Sequence, residues 1–442
     1  MRSRPETRKR MADFTCLLRS YVMPIKSNNP KVTENFNFTS TLSKRQLIEL
    51  ESCTRCGACL TECPIQDVTG DTSISPPDKI ALFRSLINRT EGFNAKFMGQ
   101  TKIHDEELKH LSRSLWECTT CGRCGEMCEA GIFSQRLWPF LRAKMVELGY
   151  GPWEPQNMME QVALNTGNVY NQPAENRYDW WPEDCPPYKE EAEVAYYVGC
   201  TTAYESQPMA IGDVRMLTAN KIDFMMLPPE KEICCGFPLY VSGQHKIIPD
   251  LIRPVIQDYA DRGVKTLVSS CPCCCNIMTR DWPRWWGGKL PFKIRHMSQF
   301  ILEGLKDGRI KFSKPLNEKI VYDDPCYLAR GVGITEEPRE ILKQLPGVDL
   351  AEFENNRMMA RCCGAGGAVK KVFSDNAIKM GRIAIDEARE LGAKKLVLSC
   401  PACFQKVNEA REGYADDIEV VDIMKLCSEH LVPEPEQSQD QA

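Results

Sequence analysis

The stretch "RCCGAGGAVK", residues 361–370, places Cys362 and Cys363 side by side ahead of a glycine, and "EICCGFPLYV", residues 232–241, does the same with Cys234, Cys235 and Gly236. Neighbouring side chains on an extended strand point to opposite faces, so two adjacent thiols meet one site only on a bend. A glycine directly after them permits the positive φ or close backbone approach that such a bend needs. Working outward, Cys200, Cys234, Cys235, Cys271 and Cys274 are matched in order by Cys326, Cys362, Cys363, Cys400 and Cys403, at offsets of 126 to 129 residues. That period is too long for a solenoid unit and marks a duplicated domain.

Each copy has the same grammar. An apolar run ("VAYYVG", "KIVYDD") leads to a cysteine, a helix-like stretch follows, and another short apolar run precedes Cys-Cys-Gly. Then "IIPDLIRPVIQDYADRGVKTLVSSCPCC" and "NAIKMGRIAIDEARELGAKKLVLSCPAC" each read as a helix, a glycine stop and a buried strand ending at Cys-Pro-x-Cys. Alternating strands and helices predict a parallel sheet, whose sites gather at the carboxyl ends of the strands. Five thiolates per copy exceed the four that a cubane or a tetrahedral zinc uses. Each copy is therefore expected to hold an iron-sulfur cluster of unusual nuclearity or geometry, with a mononuclear metal plus a cluster as the alternative.

Upstream, "CTRCGACLTECP" and "CTTCGRCGEMCEAG" both follow C-x2-C-x2-C-x3-C. In that spacing three thiolates wrap one cubane and the fourth crosses to its neighbour. The expected sets are Cys53, Cys56, Cys59 with Cys128, and Cys118, Cys121, Cys124 with Cys63, each holding a 4Fe-4S cubane. Zinc prefers two separated C-x2-C pairs, so three cysteines within seven residues fit it poorly. Pro64 follows the first run whereas Glu129 follows the second, a departure that removes no ligand. The 54 residues between the runs are too many for a hairpin ferredoxin, and "PPDKIALFRSLINR" and "DEELKHLSRSLWEC" carry apolar residues at helical spacing. This block is expected to be a helical ferredoxin.

The bulk numbers agree. A chain of 442 residues, 43% hydrophobic, has room for two to four cores. A net charge of -4 offers no basic face for nucleic acid. No stretch approaches the roughly 18 apolar residues of a membrane span. Twenty-three cysteines without an export signal point to metal rather than disulfides. The expected fold class is α+β and multidomain, a helical two-cluster ferredoxin domain (46–150) followed by two duplicated α/β domains (191–310 and 311–430). An N-terminal extension (1–45) with a basic head and an apolar run, a linker (151–190) and a disordered tail (431–442) complete the chain.

The paired C-x33-CCG-x34-CPCC and C-x35-CCG-x35-CPAC elements behind two ferredoxin runs resemble the cysteine-rich CCG-domain proteins over about residues 45 to 430. Within them the chain is most similar to the catalytic D-type subunits of membrane-bound heterodisulfide reductase; "DDPCYLARGVGITEEPREIL", "ARCCGAGGAVK" and "DWPRWWGGKLPF" look like that group. The resemblance implies a non-cubane 4Fe-4S cluster in each CCG domain, the two facing one another across a cleft for a mixed disulfide. It also implies a membrane cytochrome b-type partner subunit, a small disulfide or thiol as substrate, and a place on the cytoplasmic side of the membrane. Two related groups offer rival readings: the iron-sulfur subunit of a glycolate or lactate dehydrogenase, and an electron conduit in a sulfate-reducer transmembrane redox complex.

Other residues carry narrower expectations. Cys16, Cys185 and Cys427 read as small buried hydrophobes. Cys273 and Cys275 flank Cys274, and one of them is an alternative ligand, although Cys271 and Cys274 match Cys400 and Cys403. His245 is either a proton donor or a solvent-facing histidine. Arg330, Lys370 and Lys371 lie near second-copy cysteines, where they can neutralise an anionic substrate or a reduced cluster. Trp282, Trp285 and Trp286 are expected to pack the first CCG domain or its cleft.

Overall fold

The computed structural model describes residues 37–154 and 156–432. Cys16, most of the expected extension and the tail from 433 onward lie outside the described residues. Leu431 pairs with Phe312 in a β-bridge, so regular structure reaches just past the boundary expected at 430.

The ferredoxin block is helical. "PPDKIALFRSLINR" falls in helix Pro76–Glu91, with proline in its first turn, where the missing N–H costs nothing. "DEELKHLSRSLWEC" gives helix Asp105–Trp116, which opens on three acidic residues that suit the positive end of the helix. These helices and Ser134–Glu147 enclose a core of Phe83, Leu108, Leu111, Leu115, Trp116 and Leu141.

Each repeat forms a four-stranded parallel sheet. In the first, β1 (Val194–Tyr196), β2 (Phe224–Met225), β3 (Thr266–Ser269) and β4 (Lys293–His296) lie in the order β2-β1-β3-β4. In the second, β5 (Lys319–Tyr322), β6 (Asp349–Ala351), β7 (Lys395–Leu398) and β8 (Glu419–Asp422) repeat it as β6-β5-β7-β8. Register is also repeated: Val194 pairs with Phe224 and Thr266, and Ile320 with Leu350 and Lys395. In this order the topological switch falls between β1 and β3, and between β5 and β7, where doubly wound sheets open their crevice.

The two copies pack reciprocally. Helix Gln207–Ala219 of the first meets Ile423–Ser428 of the second, and Met297–Lys306 of the first meets Glu336–Leu342 of the second. One core of Val214, Leu217, Ile301, Ile341, Leu342 and Leu426 runs across the junction. Each such fully buried aliphatic side chain contributes roughly 1.5–3 kcal/mol. The stretch 151–190 packs as part of this body. It carries helix Met158–Thr166 and buries Arg177, which pairs with the equally buried Glu232 at 3.0 Å. Among the described residues, no helix is long and apolar enough to cross a membrane.

Candidate iron-sulfur centres and the cleft between them

The two ferredoxin runs exchange their last cysteines. Burial pushes the Cys59 thiol up to about 11, and the thiols of Cys53, Cys128 and Cys56 add to that rise. Cys124 is raised by burial together with Cys121, Cys118 and Cys63. The structure thus gathers Cys53, Cys56, Cys59 and Cys128 in one place and Cys63, Cys118, Cys121 and Cys124 in another. A small void of about 20 Å³ is lined by the second group together with Lys79 and Trp138. The Lys79 ammonium lies 5.3 Å from the Trp138 ring centre and opposes the rise in the Cys63 thiol.

The repeated cysteines form two chains of thiol contacts with one connectivity. In the first copy Cys200 hydrogen-bonds Cys234, Cys234 contacts Cys235, Cys235 contacts Cys274 and Cys274 contacts Cys271. In the second, Cys326 hydrogen-bonds Cys362, Cys362 contacts Cys363, Cys363 lies 3.0 Å from Cys403 and Cys403 contacts Cys400. Local folding explains the placement. Cys271 and Cys400 are the N-caps of helices Pro272–Arg280 and Pro401–Arg411, directly beyond β3 and β7, so each thiol faces a helix N-terminus that favours negative charge. The adjacent pairs sit on the bends expected of them. Gly236 and Gly364 both have φ of 89°, and a Cβ on Gly364 would come within 2.4 Å of the Ala377 carbonyl oxygen.

Among the described residues, no three histidine, cysteine or carboxylate side chains converge as ligands of a single metal ion do. Thiols of the second ferredoxin set and of the duplicated sets line voids, and sulfur-only donor sets suit iron-sulfur chemistry.

Both five-cysteine sets open onto one cleft, all but Cys362 lining a cavity of about 120 Å³ together with Tyr170, Thr201, Phe237 and Tyr327. Lys370 and Lys371 also line it. Burial, with Lys371 and Lys406 nearby, pushes the Lys370 ammonium down to about 8, and it donates to the Gln405 side-chain oxygen. Arg330 is placed differently. It is buried in a π-helical turn after Cys326, donating to the Cys121 carbonyl oxygen at 2.8 Å and to the carbonyls of Met358 and Ala360 at 2.6 and 2.9 Å. It stands between the ferredoxin domain and the Cys362 bend, outside the cleft lining.

His245 is neither in the cleft nor solvent-facing. It stacks on Tyr240 at 4.8 Å, meets Phe140 edge-on, and donates from Nε2 to the Tyr240 carbonyl at 2.8 Å, while burial lowers its pKa to about 4. Trp282 and Trp285 are buried in the first-copy core with Trp286 packed against them, and Trp282 donates to the Cys235 carbonyl at 3.1 Å. Cys427 is fully buried and Cys185 half-buried. Cys275 turns its thiol toward the Ser269 carbonyl at 3.4 Å, away from the cleft.

The ferredoxin domain touches the second copy at its cysteines, since the Cys121 thiol hydrogen-bonds Cys362. Around that contact Thr120 meets the Tyr327 hydroxyl at 2.9 Å, Arg123 donates to the Asn355 side chain at 2.7 Å, and Asn376 donates to Glu117 at 2.8 Å. Sequence reasoning missed Arg142. No motif marks it, yet it is fully buried and donates to the carbonyls of Leu115, Cys118, Val241 and Gly367.

A helical domain with two crossed four-cysteine sets, docked on two duplicated domains whose five-cysteine sets share a cleft, defines an iron-sulfur protein of the CCG class. Residues 49–132 match the 4Fe-4S dicluster domain family, and residues 194–279 and 320–408 match the cysteine-rich domain family. The chain belongs to the family of heterodisulfide reductase D-type subunits. It is 35% identical over 397 residues, 89% of this chain and 97% of the relative, to the D-type subunit of the dihydromethanophenazine:CoB–CoM heterodisulfide reductase of Methanosarcina barkeri. Farther relatives include the B-type subunit of the CoM/CoB fumarate reductase of Methanothermobacter marburgensis, 26% identical over 86% of this chain and 72% of that one. The EtfAB:quinone oxidoreductase of Syntrophomonas wolfei is 26% identical over 82% of this chain and 55% of its own length. The solved structure of a hypothetical protein from Helicobacter pylori shares the fold, with a TM-score of 0.52 at 11% identity over 97% of this chain and 76% of that one.

Proposed function

We propose that the chain is the electron-transferring and catalytic subunit of a membrane-associated heterodisulfide reductase-like complex, holding two cubanes in its ferredoxin domain and a non-cubane 4Fe-4S cluster in each CCG domain. The observation that carries this reading is the single cleft onto which both five-cysteine sets open, with two lysines at its wall. Clusters bound there supply electrons one at a time and iron to hold a sulfur. Reduction of a disulfide, RSSR′ + 2e⁻ + 2H⁺ → RSH + R′SH, needs two of each, so two facing sites suit it where one does not.

The residues of the chain fill the remaining roles. Cys56 is exposed and marks the side from which electrons enter, and the contact of Cys121 with Cys362 is a bridge from the ferredoxin domain to the second five-cysteine set. Arg330 places a positive charge at that bridge, where it opposes the cost of setting a second negative cluster beside the first. Lys370 and Lys371 face the cleft and favour an anionic disulfide. The partner fitting this role is a membrane cytochrome b-type subunit, with the chain on the cytoplasmic face; the names of the similar Methanosarcina proteins, which are subunits, support membership of a multisubunit complex.

The test is electron paramagnetic resonance of the anaerobic, mildly oxidised protein with and without a small thiol such as 2-mercaptoethanesulfonate. A signal that appears only with thiol and is lost in Cys362→Ser supports the reading. Silence in protein shown by iron analysis to carry all four clusters overturns it for the thiols tried, and makes a conduit without thiol chemistry the better reading.

A further inference from the structure

Cys273 is the one described cysteine outside the crossed and duplicated sets that lines the cleft. Its thiol lies beside two other cysteines of the cleft lining that belong to different copies: Cys271 of its own domain and Cys400 of the second. The local helix explains this reach. Successive residues on a helix turn by about 100°, so Cys274 points back to Cys235 while Cys273 is swung out toward the other copy. The position matching Cys273 in the second copy is Ala402, which lines the same cleft and has no hydrogen to donate. The link is therefore made once and from one side.

We propose that Cys273 is no cluster ligand but a thiol donor joining the two five-cysteine sets, its S–H shared between the Cys271 and Cys400 sulfurs. The inference rests on the reading that both sets hold iron-sulfur clusters. A hydrogen bond to a ligand sulfur draws off negative charge and stabilises the reduced cluster more than the oxidised one, which raises its reduction potential. A single donor bonded to one ligand of each cluster raises both potentials together. Two sites that share the electrons of one disulfide then stay matched, and neither traps an electron the other must deliver.

The test needs no substrate. Anaerobic redox titration followed by electron paramagnetic resonance, with iron analysis, compares the full chain with Cys273→Ala and Cys273→Ser. The alanine variant reproduces the residue present at Ala402, and serine keeps a donor. The expected result is full iron content in all three proteins, both CCG potentials shifted negative in the alanine variant, and most of the shift restored by serine. Loss of iron from either set in the alanine variant makes Cys273 a ligand and overturns the proposal. Unchanged potentials, or a shift confined to one cluster, overturn the link between copies. Wild-type protein with iron only in the ferredoxin domain overturns the cluster reading itself, and this proposal with it. Failure of the thiol experiment above leaves the titration free to succeed.

Discussion

Arg142 Nη1 donates to the Gly367 carbonyl oxygen at 2.8 Å, from the helix that closes the ferredoxin domain to the glycine turn beyond the second Cys-Cys pair. The same guanidinium reaches the Cys118 carbonyl at 2.5 Å and the Val241 carbonyl of the first copy at 2.5 Å. One buried cation therefore collects carbonyls from all three domains next to the cysteines they carry. Arg142→Ala leaves those carbonyls buried without a donor, at roughly 1–3 kcal/mol each. The expected loss is about 3 kcal/mol or more in denaturant unfolding, with slower electron transfer from the dithionite-reduced ferredoxin clusters to the cleft. Arg142→Lys, with one ammonium in place of a planar fork, recovers only part of either. Wild-type stability in Arg142→Ala would contradict the hub.

The Cys-Cys bends give a second prediction. At Gly364 a side chain meets both a φ of 89° and the Ala377 carbonyl oxygen at 2.4 Å. The left-handed conformation alone costs an L-residue about 1–2 kcal/mol, and the clash adds to it. Gly364→Ala is expected to lose the iron of the second set while the ferredoxin signals persist, read by iron analysis and electron paramagnetic resonance on one sample. Full occupancy would show that the bend tolerates a side chain and does not depend on glycine.

These two residues differ in how legible they were. Gly364 follows from the sequence because two adjacent thiols serving one site demand a bend, and the repeat at Gly236 shows the same solution twice. The parallel sheets and the gathering of cysteines at strand ends follow from the strand-helix alternation in the same way. Arg142 was not legible, since a buried arginine is defined by carbonyls 24 to 225 residues away in the chain. The stretch 151–190, expected as a linker, is packed for a related reason: Arg177 finds its carboxylate only when Glu232 is brought beside it by the fold. Of the three cations expected near the second-copy cysteines, Lys370 and Lys371 line the cleft and Arg330 does not, because nearness in sequence to a cysteine does not say which side of a turn faces the cleft.

The junction between the copies predicts a pH dependence. Asp213 and Asp422 face one another from opposite copies; burial is the main cause of both rises, and Asp422 is pushed up to about 7. Tyr196 donates to Asp213 at 2.6 Å, the N–H groups of Met424 and Lys425 donate to Asp422, and Cys400 and Cys427 lie within electrostatic reach of Asp422. A carboxyl whose folded pKa is raised holds its proton longer in the native state than in the unfolded one. Stability is then full below the unfolded value near 4 and falls as pH climbs through about 7. The expected fall between pH 5 and 8 is on the order of 2–4 kcal/mol. Asp213→Asn removes the like charge facing Asp422 and flattens the curve. Anaerobic urea unfolding at pH 5, 6.5 and 8 checks this, and a wild-type curve as flat as that of the variant would sink it.

Lys370 supplies the last prediction. It lines the cleft, it is held by Gln405, and Gln405 in turn donates to Glu205 of the first copy at 3.3 Å, so its position is tied to both halves of the site. Its pKa of about 8 means that the ammonium is charged at neutral pH and loses its proton just above it. The sulfonate or carboxylate end of an anionic thiol or disulfide is then held more weakly as pH rises through 8, even though the charge of that end does not change. A charge-assisted hydrogen bond contributes about 1.5–3 kcal/mol, so Lys370→Gln is expected to weaken binding at pH 7 by about tenfold or more. The variant should also lose the decline above pH 8, because glutamine does not titrate. Titrating the thiol-dependent paramagnetic signal at pH 6.5, 7.5 and 8.5, with 2-mercaptoethanesulfonate and with neutral 2-mercaptoethanol, separates charge recognition from sulfur binding. The anionic thiol alone should show the pH dependence, and only in protein that retains Lys370. An equal response of both thiols would assign the cleft to the sulfur atom and leave the lysine a structural partner of Gln405.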